Sequence, residues 1–413
     1  MRLADYVVRF SLGTIPTVGN PRTGAIVGLT PDGQTLVESM SRCDIEPAEV
    51  PASCLQLVDY LQCHGFLADN DSAAPVVTSA YLHVTPQCNF SCIGCYSGSD
   101  RMAHYCVPTV DQLTVAINML AQLGVQELIY SGGEPFMRED MALLVRRAAY
   151  HGIPRQTIIT NGSLLSKHCL TSFRGFVQTV ALSCDRLFDD EISYLGRDIS
   201  AADYLVTCDA VCAAGLRPHI LLTLHPKNYL NIPRYLALAD ERGFTIGFSL
   251  LSCISSECHD LVFTDEQLQE LAEILMSEQV GVGDYAESSG CTHLHGLTCV
   301  TYCGAGRRCV SVSYDGTIYP CHMLHIPELR VGNAFVDSGE DVRKGLASHP
   351  LQSVDEVPGC KSCDIRYLCG GGCRARMMHA SGSWFSNRSS CDPYCMFYQH
   401  VIGLQIDRVL GKG

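Results

Sequence analysis

Between residues 78 and 280 short apolar runs alternate with amphipathic stretches, and no other feature limits the possible folds as strongly. Strands are expected near 81–85, 127–131, 156–160, 179–183, 218–224 and 245–250. Helices are expected between them, such as Val110 to Leu123, where Leu113, Ile117 and Leu120 share a face, and Asp140 to His151. A further helix, Asp265 to Gln279 with Thr264 as N-cap, closes the region. Strand–helix alternation is the pattern of a parallel sheet covered by helices. Periodicity does not say whether that sheet is open or curled into a barrel.

Two different kinds of sequence flank this region. Residues 1–72 contain strand patterns at Tyr6 to Phe10 and Gly24 to Leu29, and turn chemistry at Thr30-Pro-Asp-Gly33. Helical spacing follows in Cys54, Leu55, Val58 and Leu61 and ends at His64-Gly65, and Asp69 to Pro75 reads as a linker. Gly281 to Gly296 is loop-rich. From about 299 to 395 the chain is Cys, Gly and short turns, too poor in apolar runs to fold on its own core, so bound metal is expected to help hold it. Cys395 to Leu410 reads as a closing helix. The expected units are therefore 1–72, 78–282 and 283–413.

Composition removes several functions. Lys+Arg 29 against Asp+Glu 43 gives a net charge of -14, which argues against nucleic-acid binding. No run of about 18 apolar residues is present to span a membrane, and the first ten residues lack a signal-peptide pattern. A cytoplasmic location is expected. In a reducing compartment 24 cysteines are not a disulfide framework, and the clustered ones read as metal ligands.

The first cluster is Cys88-Asn-Phe-Ser-Cys92-Ile-Gly-Cys95, a loop that leaves the expected strand Tyr81 to Thr85. Three thiolates on a short loop can hold an iron–sulfur cubane and leave its fourth iron open. A zinc loop or scattered buried thiols fit the spacing alone equally well. The second group is Cys303-x5-Cys309, Gly316-Thr-Ile-Tyr-Pro-Cys321, Cys360-x2-Cys363-x5-Cys369-x3-Cys373 and Cys391. A zinc ribbon uses four ligands in C-x2-C pairs and leaves Cys369, Cys373 and the Gly316–Cys321 turn unexplained.

The three-cysteine spacing, followed one β/α unit later by Ser131-Gly-Gly-Glu-Pro135, resembles the radical S-adenosylmethionine (SAM) superfamily. The downstream cysteines resemble the SPASM domain of its peptide maturases. The resemblance implies an α/β fold, a partial (β/α)6 TIM-like barrel, with a C-terminal iron–sulfur SPASM domain. The order of the first 72 residues resembles the small winged-helix-like domains that recognise precursor peptides, although a cap that merely packs on the barrel is an equal alternative.

It further implies three 4Fe-4S clusters, one SAM-binding on Cys88, Cys92 and Cys95, and two auxiliary. Crossed ligation would place Cys303, Cys309, Cys321 and Cys373 on one auxiliary cluster and Cys360, Cys363, Cys369 and Cys391 on the other. Cys291, Cys299 and Cys395 stand close enough in sequence to be alternative ligands. SAM contacts are expected from Gly132, Gly133 and Glu134 to the amino group, from Ser183 and Asp185 to the ribose, and from Arg197 to the carboxylate. Thr160-Asn-Gly162, His225, Lys227 and Asn228 are further candidates for the pocket.

Superfamily members carry an aromatic residue where this chain has Gly94, and Tyr96 is the candidate substitute. His322 stands where sulfatase-maturing relatives place an Asp base, and is the candidate proton acceptor. The implied reaction is reductive cleavage of SAM to a 5'-deoxyadenosyl radical that modifies a ribosomally made precursor peptide, with a Cys thioether crosslink as the expected product. An electron donor such as flavodoxin or ferredoxin is the implied partner. A carbon–carbon crosslinking or tyrosine-processing maturase, a sulfatase maturase and a non-catalytic iron–sulfur electron carrier are the alternatives.

Overall fold

The structure is a computed structural model, and it describes residues 1–68, 77–98, 106–252, 256–279, 297–349, 351–383 and 392–411. The expected linker over 69–75, the loop over 281–296 and Cys391 lie outside the described residues.

The central element is a sheet of six parallel strands: β4 (Ser79–Thr85), β5 (Glu127–Gly132), β6 (Arg155–Thr160), β7 (Thr179–Cys184), β8 (Arg217–Leu224) and β9 (Thr245–Leu250). Helices α3 (Val110–Leu123), α4 (Met141–Tyr150), α5 (Ala201–Ala213), α6 (Ile232–Arg242) and α7 (Asp265–Ser277) accompany them. Between β6 and β7 short 3-10 turns, Leu165–Lys167 and Leu170–Phe173, replace a helix. Alternate residues of β4 divide the sheet's two faces: Ala80, Leu82 and Val84 join the core under the helices, and Tyr81 joins Ile129 and Cys309 on the other face. Residues from the first and last of these six strands, β4 and β9, line one cavity, so the sheet curves around it. It does not close, because β4 pairs with a later strand and not with β9.

Local signals explain several boundaries. Thr109 caps α3 and Thr264 caps α7, each with a reciprocal Gln three residues on. Gly124 ends α3 at φ 96°, a left-handed position that favours glycine.

The N-terminal unit is an antiparallel three-stranded sheet, β1 (Val8–Leu12), β2 (Ile15–Gly19) and β3 (Ile26–Gly28), followed by α1 (Pro31–Met40) and α2 (Leu55–Cys63) around its own core of Val18, Leu36, Met40, Leu61 and Phe66. Thr30-Pro-Asp-Gly33 is a helix start and not a turn, with the Thr30 hydroxyl accepting from Gly33 N at 3.2 Å and Pro31 at the first helical position.

In the C-terminal part, β10 (Cys309–Val312) adds in parallel to β4, and β11 (Thr317–Tyr319) and β12 (Gly332–Asn333) continue the same sheet antiparallel. Helices α8 (Gly339–Ala347), α9 (Arg366–Cys369), α10 (Arg374–Ser381) and α11 (Cys395–Val409) complete it. Phe397, Tyr398 and Val401 of α11 enter the barrel core beside α7.

Candidate active site

The cavity opens at the C-terminal ends of β4 to β9, where parallel β/α folds place their reacting groups. Cys88, Cys92 and Cys95 all line it, together with Gly132, Gly133, Glu134, Ser183, Arg197, Tyr96 and His322. Among the described residues no three His, Cys, Asp or Glu side chains close on one point as ligands of a single ion would.

Cys92 and Cys95 stand near enough to Cys88 to raise its proton affinity. Burial pushes the Cys88 thiol up to about 11, with Glu134, Cys92 and Cys95 adding to the effect and the Phe90 N–H opposing it. Burial also raises Cys92, opposed by the charge and hydrogen bond of the Arg197 guanidinium. Metal loading must therefore expel protons from these sulfurs.

Gly94 sits at φ 71° just before the third cysteine. A bulky aromatic residue is strained in that left-handed conformation, which accounts for its absence here. Tyr96 instead turns its hydroxyl to Ser131 and presents its ring edge-on to His322, at 4.9 Å between centroids. The His322 ring also stacks on Tyr81 at 3.9 Å.

The two glycines of the 131–135 segment permit a close approach, but to the root of the cysteine loop. Gly133 N donates to Thr85 O and Glu134 N to Gln87 O, each at 2.8 Å. A Cβ on Gly133 would lie 1.9 Å from Gln87 O, and Gly132 is held at φ 116°. The Glu134 carboxylate, 1% exposed, accepts from Thr160 Oγ1 at 2.7 Å, Asn161 N at 2.7 Å and Phe136 N at 3.0 Å. It braces β5 to β6. Asn161 Nδ2 in turn donates to Asn89 Oδ1 at 3.0 Å, tying β6 to the cysteine loop. Thr160-Asn-Gly162 is thus a structural joint of the site and not a free turn.

Asp185 departs from the expected ribose contact. It is absent from the cavity lining, is 1% exposed, and its carboxylate is taken by Ser193 and by Leu195 N. His225 and Asn228 lie behind the wall as well. His225 N donates to Asn228 Oδ1 at 2.9 Å, and Asn228 Nδ2 donates to Asp185 O at 3.1 Å and Thr223 O at 2.9 Å. Lys227 is also outside the lining. Tyr81, Thr223, Ser249, Ser252 and Met323 do line the cavity and carry no motif by which the sequence would reveal them, and Ser131, the first residue of the 131–135 segment, lines it as well.

The site fits SAM and a cluster on three independent observations. Three thiols face one cavity. The backbone beside them is closely packed because two glycines lack side chains. The enclosed Arg197 Nη1 has no hydrogen-bond partner, so a donor waits there for an anionic group. A planar guanidinium suits a carboxylate.

The later cysteines fall in two places. Cys321 and Cys373 pack against Leu324, Leu329 and Ala375, whereas Cys360 packs with Cys299, Val354, Val357 and Tyr367. Cys309 lies beside Tyr81 and Ile129. Backbone bonds from Val300 to Tyr367 at 2.7 Å and from Gly306 to Pro320 at 2.9 Å bring the segments bearing Cys303, Cys369 and Cys321 together. Cys363 and Cys369 are half-buried.

Comparison with known proteins agrees with this geometry. Residues 82–238 match the radical SAM superfamily and residues 303–364 an iron–sulfur cluster-binding domain, SPASM. PqqA peptide cyclase of Gluconobacter oxydans is 25% identical over 77% of this chain and 90% of its own. AdoMet-dependent heme synthase of Methanosarcina barkeri is 24% identical over 76% of this chain and 95% of its own. Among solved structures, Streptococcus suis SuiB covers 94% of this chain and 99% of its own at a TM-score of 0.58 and 14% identity. AdoMet-bound anSMEcpe covers 81% of this chain and 98% of its own at 0.61 and 17%. Residues 82–238 are therefore a radical SAM superfamily domain and residues 303–364 a SPASM iron–sulfur domain, on the fold and cysteine-lined cavity of a radical SAM enzyme.

Proposed function

We propose that this enzyme is a peptide maturase that cleaves SAM reductively and installs a Cys thioether crosslink in a ribosomally made precursor. The observation that carries the proposal is the shared cavity, in which the three-cysteine loop and Arg197 meet His322 and Met323 from the C-terminal part. When bound, the cluster and SAM supply one-electron cleavage of a sulfonium bond and hydrogen abstraction from an unactivated carbon.

The chain's own part is to hold and shield. Cys88, Cys92 and Cys95 ligate the cluster. The Gly132–Gly133 backbone takes the SAM amino group, Arg197 the carboxylate and Ser183 the ribose. His322, buried at 5% exposure against Tyr81, is the proposed proton acceptor on the substrate side. Cys303, Cys309, Cys321 and Cys373, and Cys360, Cys363, Cys369 and Cys391, are proposed to hold two auxiliary clusters that carry an electron away from the product. Flavodoxin or ferredoxin is the proposed donor, and the cytoplasm the proposed location.

A peptide substrate is supported by relatives. Similarity to PqqA peptide cyclase runs over 77% of the chain, and the fold is shared with SuiB bound to its precursor peptide SuiA. The first of these also favours a second reading, a carbon–carbon crosslink. Iodoacetamide labelling of the product separates them, because a thioether removes a titratable thiol and a carbon–carbon bond does not. The proposal expects a short Cys-rich peptide encoded beside this gene to lose two hydrogens and one reactive thiol. Full retention of thiols would sink the thioether assignment. Replacing Cys88, Cys92 and Cys95 together with Ala is expected to abolish 5'-deoxyadenosine formation while about two-thirds of the iron remains. Complete loss of iron would contradict three separate clusters.

A further inference from the structure

Asp185 was the expected ribose ligand, yet its carboxylate points into the segment that carries Arg197. Both of its oxygens accept from the Ser193 hydroxyl, at 3.0 and 3.1 Å, and Oδ2 also accepts from Leu195 N at 3.0 Å. Ser193 Oγ in turn accepts from Arg197 N at 3.0 Å. One carboxylate thereby fixes the backbone at both ends of Leu195-Gly-Arg197.

The far side of the same segment is tied to the cysteine loop. Leu195 O accepts from Ile93 N at 3.0 Å, and Leu195 packs with Ile93, Leu251, Cys258 and Leu261. Arg197 itself reaches the thiol of Cys92. Asp185 is held from behind, since its carbonyl accepts from Asn228 Nδ2 at 3.1 Å. The segment between a buried carboxylate and the cluster loop has little freedom, and its guanidinium still keeps one donor, Nη1, unpartnered in the enclosed site.

We propose that Asp185 is a positioning residue for the carboxylate end of SAM: through Ser193 and Leu195 it presents Arg197 beside the three-cysteine loop, and it does not bind the ribose. The inference rests on the reading that Arg197 meets the SAM carboxylate. Asn at 185 removes the negative charge and can keep Leu195 N on its oxygen only by turning its NH2 toward Ser193 Oγ, which reverses that bond and replaces a charged acceptor with a neutral amide. Ala at 193 removes the relay to Arg197 N and leaves the carboxylate in place. A preorganised charged hydrogen bond lost in an enclosed site weakens binding of its own anion and of no other part of the ligand.

The test measures binding of SAM and of decarboxylated SAM, which keeps the ribose and lacks the carboxylate, to the cluster-loaded protein under anaerobic conditions. Asp185→Asn is expected to weaken SAM about tenfold or more and Ser193→Ala about threefold or more. Decarboxylated SAM is expected to bind both variants within about twofold of the unaltered enzyme, and Ser193→Thr, which restores the hydroxyl, to recover SAM affinity. Equal weakening of both ligands, or of neither, overturns the inference. Ser193→Ala carries the test by itself if Asp185→Asn does not fold. Arg197→Met separates the two levels. If it binds SAM normally, the reading of Arg197 falls. If it loses selectively for SAM while Ser193→Ala and Asp185→Asn do not, only the positioning role of Asp185 falls.

Discussion

Gly133 illustrates how single residues set this site. The Cβ of any other residue would meet the Gln87 carbonyl, so the 131–135 segment and the root of the cysteine loop could not keep their present separation. Gly133→Ala is expected to reduce SAM affinity at least about tenfold and to destabilise the fold by about 1–3 kcal/mol through overpacking. Anaerobic SAM titration and thermal melting check both, and an unchanged affinity would remove the glycine from the binding apparatus. At this scale the motifs were legible but their partners were not. The sequence placed Glu134 and Asp185 on the cofactor. Folding turns Glu134 to Thr160 and Asn161 and turns Asp185 to Ser193 and Leu195, because buried carboxylates need hydrogen-bond donors and these were nearest.

Among elements, α10 shows how a poorly apolar region is held. Arg376, 4% exposed, faces Asp392 with 3.4 Å between Nη1 and Oδ1, close enough to pair, yet Nη1 and Nε are not aligned to donate. It also lies over the Tyr394 ring at 4.5 Å. The Asp392 carboxylate accepts from Cys373 N at 2.7 Å and from Tyr394 N at 3.0 Å, joining α10 to α11. Arg376→Met leaves that carboxylate buried without its counter-charge and is expected to cost about 3–5 kcal/mol, with Arg376→Met/Asp392→Asn recovering part of it. Urea unfolding of the iron-loaded variants measures the difference, and additive losses would rule out the pairing. Capping signals made α3 and α7 readable to within two residues. They misled at Thr30, where the same Thr-Pro-Asp-Gly chemistry serves a turn or a helix start and the apolar core of Leu36 and Met40 decides for the helix.

Across the whole molecule, buried imidazoles make acid the expected weakness. Burial, with Arg217 nearby, lowers His219 to about 4. Burial, partly opposed by Asp185, lowers His225 to about 4, and burial beside His322 lowers His325 to about 3. His83, whose Nε2 is buried without a hydrogen-bond partner, is lowered well below its ordinary value by burial and by the same two histidines. Each ring binds its proton more readily in the unfolded chain, so stability is full above pH about 6.5 and falls as the pH drops toward about 4. His219→Gln is expected to flatten that decline by about 1–3 kcal/mol, allowing for partial exposure of the ring. Urea midpoints at pH 7.5 and 5 test it, and an unchanged slope would contradict a neutral buried ring.

The sequence by itself determined what local spacing and composition can encode: the alternation of strands and helices, the helix caps, the three thiols on one loop and the absence of long apolar spans. Only the tertiary structure decided that β10, some 230 residues after β4 in the chain, extends the same sheet, that the Asp185 carboxylate holds Ser193 and through it the Arg197 backbone, and that His322 meets Tyr81 and Tyr96 in the cavity. Those outcomes depend on which distant groups can satisfy a buried donor, acceptor or strand edge at the same time. Such a condition holds among segments in space, and no single segment carries it.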